Sequence, residues 1–159
     1  MSEPNQMVET APSEHIGDAM LARLRAVSML ATVPEEELHC LREAREVHIA
    51  AGEFIARQGE VAHCFWILLS GEIRIYQTLP DGREMTIANV PTGTALGELP
   101  LLSNTPYAAS VRATEPCELL QFDEQQFWNL MTACPNVRKA ILGNMGSRFQ
   151  RMQSMVVQQ

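Results

Sequence analysis

Between residues 46 and 123 the chain is cut by glycine at short intervals, at Gly52, Gly59, Gly71, Gly82, Gly93 and Gly97. Between and after these glycines lie brief runs of β-branched, aromatic and aliphatic residues: EVHIA, EFIARQ, HCFWILLS, EIRIYQTL, EMTIANV, AASVRAT and CELLQFD. Glycine weakens helix and strand interiors alike and accepts positive φ, so this punctuation favours short strands joined by tight turns. Asp81-Gly82 between two such runs is a hairpin signal. EIRIYQTL alternates, with Ile73 and Ile75 set against Arg74 and Tyr76. Many short strands of this kind specify a sandwich, jelly roll or barrel rather than alternating strand–helix units.

Helical periodicity flanks this region on both sides. Over residues 17–31, Met20, Leu21, Leu24, Val27 and Leu30 fall on one helical stripe, with Asp18 placed to cap it. A second helix opens at Pro34-Glu35-Glu36-Glu37, where proline fits a first turn and the acids complement the helix dipole, and buries Leu38, Leu41 and Ala44. After the β region, Asp123 caps a helix that buries Phe127, Leu130 and Met131. Pro135 opens a last helix running to about Met155. Its Leu142, Met145, Phe149, Met152 and Val156 recur at intervals of three and four, the seam of a helix pair, and Gly143 and Gly146 would allow close approach. This seam either packs on the chain's own barrel or joins two copies; its continuation to the end of the chain favours a dimer. The expected organisation is a disordered lead-in over 1–16 and a single domain over 17–159, with a β-roll at about 46–122 and C-terminal helices at about 123–155. A chain of 159 residues suits one such domain.

The stretch that carries chemistry is Leu96-Gly-Glu-Leu-Pro-Leu-Leu-Ser-Asn-Thr-Pro-Tyr-Ala-Ala-Ser-Val111. Gly97 lets the backbone take positive φ or pass close to a ligand. Glu98 to Leu102 can form one helical turn whose free N–H groups face outward, and Glu98 there can accept hydrogen bonds, for example from sugar hydroxyls. The same residues also serve, without any ligand, as a turn that closes a barrel.

This stretch resembles the phosphate-binding cassette of the cyclic-nucleotide-binding domain family, which includes catabolite activator proteins, protein kinase A regulatory subunits and gated channels. The family pattern is Gly-Glu-(Leu/Ile)-Ala-Leu-Leu, a few residues, then Pro-Arg-x-Ala-(Thr/Ser)-Val. Matching it are Gly97, Glu98, Leu99, Leu101, Leu102, Pro106, Ala109, Ser110 and Val111. Upstream, Gly52, Gly59 and Gly71 fall where the family's β-roll has paired glycines, so the likeness spans roughly residues 28–152. The resemblance implies a mainly β fold with flanking helices: a double-stranded β-helix or jelly roll with N-terminal helices and a C-terminal dimer helix. It implies a ligand site at Gly97, Glu98, Leu99, Tyr107, Ala108 and Ser110, with Glu98 on the ribose 2′-hydroxyl and the backbone of Gly97 and Leu99 along the ribose-phosphate. Ile73, Ile75 and Ile87 would offer apolar walls or simply core.

The departures are as informative. Tyr107 stands where the family places its phosphate-binding arginine, Ala108 where it often has serine, and Pro100 where it has alanine. Arginine offers a permanently charged fork and tyrosine one neutral hydroxyl. Arg112 lies five positions on, and Arg74 and Arg83 read as solvated surface. Two readings stay open: a sensor domain that binds cyclic AMP or cyclic GMP weakly and repositions its C-terminal helices, or a dimeric interaction module that has lost nucleotide binding.

Other classes are disfavoured. His15, His39, His48 and His63 are too dispersed for a cupin-type metal site, and no catalytic triad or paired-acid motif is present, Glu35-Glu36-Glu37 reading as a helix start, so neither a metal nor an enzyme is expected. Net charge of −7 and a pI near 5.1 oppose nucleic-acid binding. Arg138, Lys139, Arg148 and Arg151 read as the solvated face of the last helix. No apolar run suits a membrane helix and the N-terminus has no signal-peptide core, so a cytoplasmic protein is expected. Cys40, Cys64, Cys117 and Cys134 fit no metal or disulfide spacing and read as reduced thiols. Expected partners are a second copy through the C-terminal helix, and a partner protein or fused output domain.

Overall fold

The computed structural model describes residues 16–157, and on the last helix the side chains to Arg148 and of Gln150, so Phe149, Met152 and Val156 of the predicted seam lie outside the described side chains. The lead-in expected over 1–16 lies, apart from Ile16, outside the described residues; Ile16 packs against the core. The chain runs α1 (Asp18–Arg25), α2 (Glu35–Leu38), strands β1 (Arg45–Ile49), β2 (Phe54–Ala56), β3 (Cys64–Ser70), β4 (Ile73–Thr78), β5 (Glu84–Val90) and β6 (Ala95–Leu96), then α3 (Glu98–Ser103), β7 (Ser110–Ala113), β8 (Cys117–Asp123), α4 (Glu124–Ala133) and α5 (Pro135–Val157). Short 3-10 turns at Ser28–Leu30 and His39–Glu43 extend the N-terminal helices.

Two four-stranded sheets, ordered β1-β8-β3-β6 and β2-β7-β4-β5, pair antiparallel throughout and face each other as a β-roll. The run CFWILLS explains the layering. It is apolar at successive positions, so β3 is buried on both faces: Phe65, Ile67 and Leu69 join a cluster with the helices, while Trp66 and Leu68 join a second cluster between the sheets. β8 does the same, with Leu120 and Phe122 toward the helices and Cys117 and Leu119 toward the other sheet. Helices therefore cover one face of the first sheet and the second sheet covers the other.

Several expectations are corrected. α1 is N-capped by Gly17, and Asp18 is its first residue. Tyr76 shares the face of Arg74, as the alternation has it, but is buried there because the Arg74 guanidinium covers its ring, 4.5 Å from the ring centre; the bulge in this pair of strands falls at Ile87 on β5. Ile73 is core, whereas Ile87 is 42% exposed on β5. β6, two residues long, was not legible. Cys40 and Cys134 are not free thiols but a disulfide, with Cα atoms 6.6 Å apart. Local spacing cannot reveal a pair 94 residues apart that only the packing of the helical layer brings together.

Asp123 caps α4 as expected: its carboxylate accepts from the Gln126 amide N–H, and the Gln126 side chain reaches back to the Asp123 N–H. On α5 the buried stripe is Val137 and Ile141, continued by Asn144 and Arg148, which bond the backbone of β6. The seam read from the sequence starts one residue further on, and Leu142 is 46% exposed.

Gly71, at φ +97°, turns β3 into β4, and a methyl group there would lie 2.5 Å from the Pro116 carbonyl oxygen and 2.7 Å from Cys117 Sγ. Gly143 lies within α5 with open space around it. Gly71→Ala should therefore lower Tm by about 2–12 °C, the equivalent of about 1–3 kcal/mol of strain in a domain of this size. Gly143→Ala should raise Tm by a few degrees through helix propensity. Equal Tm values for the two variants in a thermal melt would contradict this account of the turn.

Candidate functional site

The cassette is laid down on β3. β6 pairs with it, Leu96 opposite Trp66 and Ala95 opposite Ile67, and delivers the chain into Gly97. Gly97 has φ +91°, and a Cβ there would sit 2.8 Å from the Cys64 carbonyl oxygen and 3.0 Å from the Trp66 ring. Only glycine meets both conditions. α3 follows at once, with Gly97 as its N-cap, and ends at Asn104 in the left-handed region at φ 53°.

Glu98 is the first residue of α3 and is only 3% exposed. Its Oε1 accepts a hydrogen bond from Arg148 Nη1 at 3.2 Å, reaching in from α5. Its Oε2 is buried with no donor, alone in this among the described residues. Burial pushes the Glu98 carboxyl above the usual glutamate range, and the Arg148 guanidinium and a backbone hydrogen bond pull it part of the way back. Arg148 also donates to the Ala95 carbonyl at 3.2 Å, and Asn144 Nδ2 donates to the same oxygen at 3.3 Å. The expectation that Arg148 belongs to a solvated face is thus corrected. Asn144 and Arg148 continue the stripe of Val137 and Ile141, and that polar continuation of an apolar stripe was the signal to follow.

The remaining candidates separate. Leu99 directs its side chain to solvent, being 60% exposed, so only its backbone belongs to the site. Tyr107 is half-buried beside the same floor: its ring centre lies 6.3 Å from that of Trp66. Desolvation pushes its phenol upward and the neighbouring Cys64 adds to this, while backbone hydrogen bonds at His63 and Cys64 draw it back. Its backbone is fixed by Tyr107 N–H to Glu60 O at 3.0 Å and Gly59 N–H to Tyr107 O at 2.8 Å. Ser110 is buried and accepts from the Gln58 N–H at 3.0 Å, a structural use of its hydroxyl. Ala108 is exposed, and its carbonyl accepts from Gln77 Nε2 at 3.0 Å. Arg112 faces away: its Nε donates to the Gly52 carbonyl at 2.7 Å and its guanidinium sits 5.0 Å from the Phe54 ring centre. Gly97, Glu98, Tyr107 and Arg148 therefore converge around Trp66 and β6, and Ala108, Ser110 and Arg112 do not join them. Among the described residues no cluster of histidine, cysteine or carboxylate groups could hold a metal, and no helix is long and apolar enough to cross a membrane.

Comparison with known proteins places this geometry. Residues 46–134 match the model of the cyclic nucleotide-binding domain family. The chain is 30% identical over 111 residues to the cAMP-dependent protein kinase regulatory subunit of Blastocladiella emersonii, covering 69% of this chain and 28% of that protein. It spans less than a third of the first curated relatives it matches. Among solved structures, the Thermus thermophilus catabolite activator protein superposes with a TM-score of 0.72 at 24% identity, covering 80% of this chain and 61% of the other. The sensor domain of the Pseudomonas aeruginosa transcriptional regulator DNR gives 0.67 at 25% identity, over 85% and 92%. With its two-sheet roll, its glycine-positioned cassette and these matches, the chain belongs to the cyclic nucleotide-binding domain family.

Proposed function

We propose that this domain is a non-enzymatic, cytoplasmic sensor that binds cyclic AMP or cyclic GMP weakly at the cassette and passes occupancy to α5. The observation that carries the reading is the half-satisfied Glu98 carboxylate: buried, held by Arg148 on one oxygen and lacking a donor on the other. A sugar hydroxyl is a donor of the right kind, and its arrival would redistribute the only ion pair that ties α3 to α5 among the described residues. Gly97 and the Leu99 backbone would line the ribose-phosphate. Tyr107 supplies no fixed charge, so the phosphate contact is weak.

The competing reading, a ligand-free interaction module, draws support from Tyr107, whose ring already packs beside Trp66. In either case the output belongs to a partner or a fused domain. The exposed Leu142 and the half-buried Met145, offset from the stripe that packs inward, favour a homodimer through α5.

Isothermal titration should show saturable binding of cyclic AMP or cyclic GMP. Tyr107→Arg should tighten it about 10- to 150-fold, the worth of a charge-assisted hydrogen bond, and Glu98→Ala should weaken it by at least about tenfold. No heat with either nucleotide, for the wild type and for Tyr107→Arg, would select the interaction module.

The raised Glu98 carboxyl also sets a pH dependence. The folded state holds this proton more tightly than the unfolded chain, so the contribution of Glu98 to stability falls as pH rises above the ordinary value of 4.5 and levels off once the native carboxyl has ionised. Glu98→Gln removes this dependence, so its Tm should gain on the wild type as pH rises above about 4.5 and the gain should level off once the native carboxyl has ionised. Parallel Tm profiles would refute the assignment. For the dimer, sedimentation velocity should give two copies for the wild type and one for Leu142→Glu; an unchanged mass would remove α5 from the interface.

A further inference from the structure

We propose that Cys40 and Cys134 form a reversible redox-modification site that clamps the hinge between α4 and α5. α4 ends at Ala133 and α5 starts at Pro135, so the hinge is the single residue Cys134, with non-helical φ −123° and ψ 82°. Its disulfide partner, Cys40, lies in the 3-10 turn after α2. That turn is anchored in the body of the domain: Leu38 and Leu41 are fully buried, and Gln126 Nε2 donates to the Glu43 carbonyl at 3.0 Å.

A second tie runs the same way. Glu37 of α2 caps the first turn of α5, its carboxylate accepting from the backbone N–H groups of Asn136 and of Val137, the latter at 2.9 Å, and from Asn136 Nδ2 at 2.7 Å. The non-covalent cap can let go and re-form, whereas the disulfide cannot while it is oxidised. Oxidation therefore fixes the root of α5 covalently to the N-terminal helices, and reduction leaves it held only by non-covalent contacts: the Glu37 cap, the Arg138 bond to the Met131 carbonyl and the burial of Val137 and Ile141.

Small reagents reach the site through Cys40, which is half-buried and, with the buried Cys134, lines a cleft completed by Arg42, Glu43, Gln126 and Asn129. The other two thiols are less suited to oxidation: Cys117 is buried, and burial pushes both its thiol and that of Cys64 upward, away from the reactive thiolate. In the closing direction the two thiols lose two protons and two electrons, an S–S bond forms, and hydrogen peroxide accepts both pairs and leaves as two waters. In the opening direction a dithiol reductant exchanges with the disulfide through a mixed disulfide and is itself oxidised. In a reducing compartment a pair of this kind cycles rather than persists.

The test needs no nucleotide, so it stands or falls apart from ligand binding. The whole protein is treated with hydrogen peroxide or with dithiothreitol, denatured and labelled with a maleimide. Mass spectrometry should count two reactive thiols per chain after peroxide, Cys64 and Cys117, and all four after dithiothreitol. Hydrogen exchange at the amides of residues 136–140 should be about tenfold faster in the reduced protein, with β3 amides unchanged. Cys40→Ser should show the fast rate under both treatments; if that variant does not fold, the comparison of oxidised and reduced wild type decides alone. Four thiols after peroxide, oxygen added to either cysteine in place of the bond, or equal exchange in both states would overturn the proposal.

Discussion

The strand β3 has no face turned to water, and much of the molecule follows from that. Its alternate side chains feed two different clusters, Phe65, Ile67 and Leu69 beneath the helices and Trp66 and Leu68 within the roll. Each large side chain buried in this way contributes about 1.5–3 kcal/mol. The same strand supplies the surface against which Gly97 is pressed, through the Cys64 carbonyl and the Trp66 ring, and the partner for β6. The cassette is therefore mounted on the most deeply packed element of the domain. Its position is a consequence of core packing, and its backbone is preorganised before any ligand arrives.

Into this apolar setting the fold places one carboxylate. Burying an ionised group costs several kcal/mol unless it is paired. Glu98 is paired on one oxygen only, and its partner Arg148 belongs to a different layer. Arg148 and Asn144 share the Ala95 carbonyl, so α5 is fastened to β6 and α3 by polar contacts that a ligand hydroxyl could rearrange, whereas its first turns are fastened by buried Val137 and Ile141 and by the Glu37 cap. The two ends of the described part of α5 thus answer to different influences: the root to the N-terminal helices and the Cys40–Cys134 bond, the middle to the cassette.

Most of the architecture was readable from the chain. Glycine punctuation and short apolar runs located seven of the eight strands, because each strand is bounded by a residue that cannot continue it. The helices were readable from Leu21, Leu24, Leu38, Phe127 and Leu130, whose spacing matches the faces they bury. The cassette was readable because Gly97-Glu98 has a local pattern. What was not legible depends on distance in sequence. The Cys40–Cys134 bond, the Glu37 cap on α5 and the Glu98–Arg148 pair join residues 94, about 100 and 50 positions apart, and none leaves a local trace. The inward stripe of α5 was not separated from the seam beside it, because its continuation is polar: Asn144 and Arg148 occupy positions that hydrophobic periodicity does not count. The alternation placed Tyr76 on the face of Arg74, but its burial there was not legible, because it depends on the Arg74 guanidinium folding over the ring.

The most direct test of the coupling between cassette and helix is a set of ¹H–¹⁵N correlation spectra of the protein titrated with cyclic AMP and cyclic GMP. The account predicts that the amides of Gly97, Glu98 and Leu99 and those of α5 from Ile141 to Arg148 shift together, with one common midpoint, and that Arg148→Ala abolishes the α5 shifts while leaving those of the cassette. Cassette shifts without any response in α5 of the wild-type protein would contradict it, as would spectra that neither nucleotide changes.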